Sequence, residues 1–266
     1  MTSEDRDSET VVEPDGEESR SSRSRPRKAK KKHLPVWQET ILLLGIALVL
    51  AIVIKALFVQ AFYIPSESME PGLVKNDRIL VQKVSYWFGG TPQRGDVVVF
   101  KDPGDWLSPA ESAGPQSGIT ELMAKIGLYP SGGHLVKRVI GVAGDVIKCC
   151  DKQGRISVNG QPLNESSYVK EKGIDCNGPM VGDCSQNSWT AGPVPKGHIF
   201  VMGDNRGHSA DSTVHMCPKT ATDCVPGDEF VPVDLVVGKV FVLLWPSDRF
   251  RWIERPSTFA DVPNAS

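Results

Sequence analysis

A chain of 266 residues, 40% hydrophobic and 23% charged with a net charge of −2, has room for one large or two small domains. These values are ordinary for a globular protein, so they exclude a wholly disordered or fibrous chain and name no activity. The charge is unevenly laid out: acids cluster between Glu4 and Glu18, whereas the bases from Arg20 to Lys32 have no acid among them.

Residues 1 to 35 are rich in Ser, Glu, Arg and Lys and hold almost no large apolar side chains, so they cannot bury enough surface to offset the entropy of ordering. They read as a disordered tail. A basic run of this kind also suits nucleic acid or a nuclear address, but this one stands directly before the one long apolar run of the chain, which favours a role in membrane topology. Val36 to Ile54 contains the unbroken stretch ILLLGIALVLAIVI, and as a helix it spans about 28 Å, close to the thickness of a bilayer's hydrocarbon core. An anchor over 36 to 57 is expected, with the N-terminus cytoplasmic and the rest of the chain on the far side by the positive-inside rule. Lys55 can snorkel, and Phe58, Phe62 and Tyr63 suit the interface. The segment AFYIPSES offers no convincing small-x-small site, which speaks against a cleaved signal.

All six cysteines, Cys149, Cys150, Cys176, Cys184, Cys217 and Cys224, follow the anchor. An even, one-sided set fits disulfides in an oxidising compartment, whereas zinc lacks a paired CxxC spacing. Cys176 with Cys184 and Cys217 with Cys224 are the sequence-near pairings, and the adjacent Cys149 and Cys150 have room for distant partners.

Past the anchor the apolar pattern breaks into short Val- and Ile-rich runs bounded by Gly, Pro, Asp and Asn: 78–84, 96–100, 134–142, 145–148, 155–158, 198–202 and 236–245. These predict strands and a mainly β domain. Asn159 and Gly160 between RISV and QPL predict a two-residue hairpin. The stretch ITELMAKIGL suits a short helix, and residues 164–196 and 213–232 read as loop insertions, each with two cysteines.

A serine nucleophile needs a base within reach, a site for the oxyanion and a fixed backbone. In IPSESMEPGL, Pro65 and Pro71 stiffen the flanks of Ser66, Ser68 and Met69, so Ser68 is expected on a short rigid run rather than a helix. A polar linker fits this segment equally well. In HLVKRVIGV the period of two puts Leu135, Lys137 and Val139 on one face and Val136, Arg138 and Ile140 on the other. Lysine's ordinary pKa near 10.4 leaves almost no neutral amine at pH 7, and burial pushes it down, so Lys137 serves as a base only if its face is buried. Most strand lysines instead face solvent from an edge. The segment MGDNRGHSADS, residues 202 to 212, packs more turn formers and charges than a hairpin needs. Ser209 is placed to orient the lysine amine, with Asp204, Arg206 and Asp211 locking the turn. Against a Ser-His-Asp triad, His134, His198 and His215 have no comparable setting, and His208 alone lies near the candidate site.

In order, SESMEPGL (66–73), GDVVVF (95–100), KRVIGVAGD (137–145) and GDNRGHSADS (203–212) resemble the boxes of bacterial type I signal peptidases, and the layout is similar to actinobacterial members. The resemblance covers roughly residues 36 to 250. It implies a mainly β signal-peptidase fold with a single N-terminal transmembrane helix. It also implies a peptidase domain over 58–254 with a β-ribbon and loops inserted around 145–196, and a C-terminal tail from 255 to 266. The implied activity is serine endopeptidase cleavage of signal peptides from exported preproteins after Ala-x-Ala sites at the plasma membrane, with no metal, no cofactor and no nucleic acid partner. Ser68 matches the nucleophile, Lys137 the general base, Ser66 with Ser68 the oxyanion hole, Ser209 the lysine-orienting serine, and Asp204 and Asp211 structural acids. Two departures stand out. Gly72 replaces a usual Thr and is expected to loosen the turn. Thr213 replaces a common Arg, which removes a partner of Asp211 that the local disulfide is expected to replace.

Ser68 lies fourteen residues beyond Ile54, so at about 3.5 Å per residue it is held within about 50 Å of the anchor's end. A self-cleaving repressor-type peptidase shares the Ser/Lys chemistry, but no helix-turn-helix precedes it here. A non-catalytic anchored β domain binding envelope proteins is the alternative from another class, and it has no need of Ser68, Lys137 and Ser209 together.

Overall fold

The computed structural model describes residues 35–86, 89–104, 106–108, 118, 132–170, 189–217 and 224–265. The expected helix over ITELMAKIGL, Trp87, Phe88, Cys176 and Cys184 lie outside these residues. The chain divides into a unit ending at Gly45 and a second from Ile46 onward.

Helix α1 (Val36–Phe58) takes up the long apolar run. Pro35 closes its first turn, its carbonyl accepting the amides of Gln38 (2.8 Å) and Glu39 (3.2 Å). Thr40 Oγ1 bonds back to the Val36 carbonyl at 2.9 Å. The helix has 23 residues, about 34 Å of length, and its apolar side chains from Val36 to Val53 are exposed. By length and composition it is a candidate membrane span.

The helix gives way at Val59 to β1 (Val59–Tyr63), whose alternation overturns one expectation. Phe62 does not face an interface: the period of two turns it inward to 6% exposure, while Phe58 and Tyr63 stay exposed.

The remaining strands follow the Val- and Ile-rich runs: β2 (Arg78–Gln82), β3 (Val97–Lys101), β4 (His134–Val142), β5 (Ile147–Cys149) and β6 (Ser157–Val158). After these come β7 (Gln161–Pro162), β8 (Trp189–Ala191), β9 (His198–Met202), β10 (Val231–Pro232), β11 (Val236–Trp245) and β12 (Arg251–Trp252). Among the described residues, the larger sheet runs β1-β2-β11-β3-β4-β9-β10 with β12 beside β11, and the smaller runs β7-β6-β5-β8. All pairings are antiparallel. The mainly β reading holds. Strands β1, β8, β10 and β12 were not visible in the sequence, because each has five residues or fewer and none shows a run of alternating apolar side chains.

The hairpin at Asn159-Gly160 forms as the dipeptide requires. Both residues have positive φ, 51° and 82°, which pairs Val158 with Gln161 and Ser157 with Pro162. Cys217 and Cys224 are disulfide-bonded. Cys149 and Cys150, for which distant partners were open, are instead joined to each other.

Strand β4 lies between β3 and β9, and both of its faces are covered. Leu135 and Val139 pack with Val98, Phe100, Ile199 and Val201. Val136 packs against Phe62, Ile64, Met69 and Val99. An edge lysine facing water is therefore not the situation of Lys137.

Just before β3, Asp96 is 1% exposed and gathers Lys239 (2.8 Å), Arg255, the Gln93 amide (3.1 Å) and the Tyr86 hydroxyl (3.2 Å). Tyr86 is thus tied inward. Burial alone would raise the Asp96 carboxyl, but the bonds from Arg255 and Lys239 outweigh it and hold its pKa below the ordinary value. A carboxylate depressed in the folded state stabilises the fold above its unfolded pKa, near 3.9, and loses that contribution as pH falls through the folded value. Asp96→Asn is expected to lower unfolding free energy by about 1–3 kcal/mol at pH 7. The gap from the parent protein should shrink below about pH 4, as read by urea unfolding at the two pH values.

Candidate active site

The chain leaves β1 through Ile64, whose amide donates to the Asp77 carbonyl at 2.9 Å. Ile64, Met69 and Leu73 are each about 2% exposed or less and sink into one apolar cluster. Ser68 therefore lies on a short non-helical run held from both ends. It stands in a turn, with the Glu70 amide donating to Glu67 O (3.1 Å) and the Leu73 amide to Met69 O (2.8 Å), because Met69 and Leu73 must reach the same core. Asn205 grips this turn twice: its amide donates to Ser68 O (3.0 Å) and its Nδ2 to Glu67 O (3.0 Å).

Strand β4 brings Lys137 to the turn. The side chain is 5% exposed, as is Ser68, and Lys137 Nζ donates to Ser68 Oγ at 2.8 Å. Ser66 Oγ lies 3.2 Å from Ser68 Oγ, on the exposed side. The geometry supplies a hydroxyl, a buried amine in contact with it and a second hydroxyl alongside.

The box after β9 converges on the same place. Ser209 Oγ donates to Asp211 Oδ2 at 2.7 Å, and that oxygen also accepts the Gly203 amide at 2.9 Å. Gly203 is required by close approach: a β-carbon there would overlap Ser209 Oγ and the Ser68 carbonyl. The other Asp211 oxygen accepts the amide (3.0 Å) and hydroxyl (2.8 Å) of Thr213. Thr213 itself, rather than the Cys217–Cys224 bridge, thus fills the place of the expected arginine. Nor is Gly72 left loose, since its carbonyl accepts from Arg251 and, at 3.5 Å, from Arg249.

The ion pairs of this box reach outside it. Asp204 takes two bonds from Arg138, Nε to Oδ1 at 2.8 Å and NH2 to Oδ2 at 2.7 Å, with both side chains buried. Arg206, 2% exposed, donates to the Gly203 carbonyl (2.8 Å) and to both oxygens of Glu165 (2.6 and 3.1 Å). Tyr168 donates to Glu165 at 2.6 Å and lies 4.5 Å beneath the Arg138 guanidinium. Burial alone would weaken the charge of Arg138, but Asp204 more than offsets it and the pKa rises. Burial and the Glu165 charge together push the Tyr168 hydroxyl well up, so it remains a donor.

Arg138, Glu165, Tyr168 and Asn205 are the supports that sequence reading missed. Arg138 was visible as the neighbour of Lys137 on a strand, but its acid lies 66 positions away. Glu165 and Tyr168 stand in a stretch that reads as a loop and carries no local signal.

The histidines stand apart from this cluster in different ways. His208 is exposed on the loop. His215 stacks on Trp106 at 4.2 Å, where burial lowers its pKa despite the charge of Asp228. His134 packs against Phe62 at 5.3 Å, and His198 is half-buried at the start of β9.

Residues 37–245 match the family model described as signal peptidase, peptidase S26. The chain is 37% identical over 250 residues to a signal peptidase I of Mycobacterium tuberculosis, covering 90% of this chain and 82% of that protein. It is 36% identical to a probable signal peptidase I of Mycobacterium leprae, over 83% and 80% of the two chains. Identity to the signal peptidase I of Leptolyngbya laminosa is 31%, over 89% and 93%. A solved signal peptidase I from Enterococcus faecalis, 21% identical, overlaps 56% of this chain and 95% of its own with a TM-score of 0.30. A family match over most of the chain, with relatives above 30% identity across four-fifths of their length, means that this protein belongs to the signal peptidase family of S26 peptidases.

Proposed function

We propose that this signal peptidase removes signal peptides by a Ser/Lys dyad, with Ser68 as nucleophile and Lys137 as general base. The observation that carries the reading is the 2.8 Å contact between Lys137 Nζ and Ser68 Oγ, both buried. In its neutral form the amine accepts the Ser68 proton as Oγ attacks the scissile carbonyl. The tetrahedral oxyanion is held by the Ser68 amide and the Ser66 hydroxyl, which the 3.2 Å Ser66–Ser68 spacing allows. Collapse of this intermediate breaks the C–N bond, and the Lys137 ammonium returns its proton to the leaving amine. Lys137 then takes a proton from water as it attacks the ester, and returns it to Ser68 Oγ as the C–O bond breaks and the acid leaves. Ser209, fixed by Asp211, orients the amine. Asp204, Arg206 and Asp211 hold the backbone that carries it.

In this reading the substrates are secretory preproteins cut after Ala-x-Ala sites. Helix α1 is a single-pass anchor in the plasma membrane, with residues 1–35 cytoplasmic and the 58–254 peptidase domain extracytoplasmic. The exposed apolar surface of α1 and the basic run before it support that topology. Tethering enzyme and preprotein to one bilayer raises their effective concentration.

Detergent-solubilised protein incubated with an Ala-x-Ala preprotein is expected to cleave it, with Ser68→Ala and Lys137→Ala folded and slower by about a thousandfold or more. Normal cleavage by either variant would overturn the dyad. The parent rate should rise with pH as the amine loses its proton, because only the neutral amine can accept the Ser68 proton. Gly203→Ala is expected to lower kcat by about a hundredfold while costing about 1–3 kcal/mol of stability, since its methyl displaces Ser209 or the Ser68 carbonyl. Steady-state kinetics beside thermal unfolding separates the two effects.

A further inference from the structure

We infer that Phe259, in the C-terminal segment beyond the family match, is a positioning residue for catalysis: its ring backs the contacts that set Arg138 beside Lys137. This inference rests on the reading of Ser68 and Lys137 as nucleophile and base.

The family match ends at Trp245, and nothing in the sequence after Arg255 carries a motif. Yet the segment is tied down along its length. Ser257–Phe259 form a short 3-10 turn, and the Asn164 amide donates to Thr258 Oγ1 at 2.7 Å. Arg94 donates to the carbonyls of Val262 (3.4 Å) and Pro263 (3.3 Å), and Asn159 Nδ2 donates to Pro263 O at 2.9 Å. These bonds hold the Phe259 ring in the core at 7% exposure.

Two neighbours of that ring decide its role. One is Gly95, at φ +84°, where an added β-carbon would stand 2.8 Å from the Phe259 ring. The other is Tyr168, with ring centroids 6.2 Å apart. Both hold Arg138: Gly95 O accepts from its NH1 at 2.9 Å, and the Tyr168 ring lies 4.5 Å under its guanidinium. Gly95 also donates its amide to Val139 O at 2.7 Å, which fixes β4 two residues past Lys137. One side chain therefore backs two side-chain contacts of Arg138 that do not involve Asp204. Deleting the ring leaves a cavity against both neighbours. Arg138 and the strand carrying Lys137 then gain room to move, and a shift of about 1 Å at a catalytic group can cost about a hundredfold in rate.

The test is the full chain with Phe259→Leu, Phe259→Val and Phe259→Ala, assayed on an Ala-x-Ala preprotein below each variant's melting temperature, with rates expressed per folded molecule. The expected result is a graded fall in kcat with KM within about twofold: about threefold or less for Leu, more for Val, and about tenfold or more for Ala. The Leu and Val variants carry the comparison if Ala does not fold. An unchanged kcat in the folded variants, or a change in KM alone, overturns the role of Phe259. Ser68→Ala runs alongside: if it is inactive, a flat Phe259 series removes only this inference, whereas cleavage by Ser68→Ala overturns both.

Discussion

The site depends on one constraint: a guanidinium taken out of water must be fully paired where it lies. Arg138 and Arg206 are both buried, and each has a carboxylate gripping it with two bonds. Removing one partner of such a pair costs about 3–5 kcal/mol, so the positions of Asp204 and Glu165 are not free to drift. Asp204 and Arg206 flank Asn205, which holds the turn of Ser68 by two consecutive carbonyls. Charge pairing in the interior is thereby converted into backbone placement at the surface of the site.

The sheet supplies the second half of that placement. Strand β4 carries Lys137 toward Ser68 while its next residue, Arg138, is anchored to the box after β9. Neighbouring residues on a strand point to opposite faces, so one strand can present the Lys137 amine to Ser68 and the Arg138 cation to Asp204. That division works because both faces of β4 are packed: one apolar cluster takes Leu135 and Val139, another receives Val136.

The same economy governs the box at 203–213. Asp211 has no cation in the usual place, and Thr213 meets it with an amide and a hydroxyl. A carboxylate that accepts four donors from Gly203, Ser209 and Thr213 needs no ion pair to stay put. Gly203 has no side chain because Ser209 and the Ser68 carbonyl already occupy that space.

What the sequence determined alone were the features set by local chemistry. The unbroken apolar run dictated α1, the Val- and Ile-rich runs dictated β2, β3, β4, β9 and β11, and Asn159-Gly160 dictated its hairpin. The four boxes pointed to the family and to Ser66, Ser68, Lys137, Ser209, Asp204, Arg206 and Asp211 as one group. What only the tertiary structure decided were the partnerships between distant positions: Lys137 with Ser68, Arg138 with Asp204, Arg206 with Glu165, and Phe259 against Gly95 and Tyr168. It also turned Phe62 inward, where local bias pointed to an interface, and set Ser68 in a turn gripped by Asn205. The physical reason is that propensity and periodicity act over a few residues. Burial of a charge or an aromatic ring is satisfied by whatever the folded chain brings alongside, at any separation in sequence.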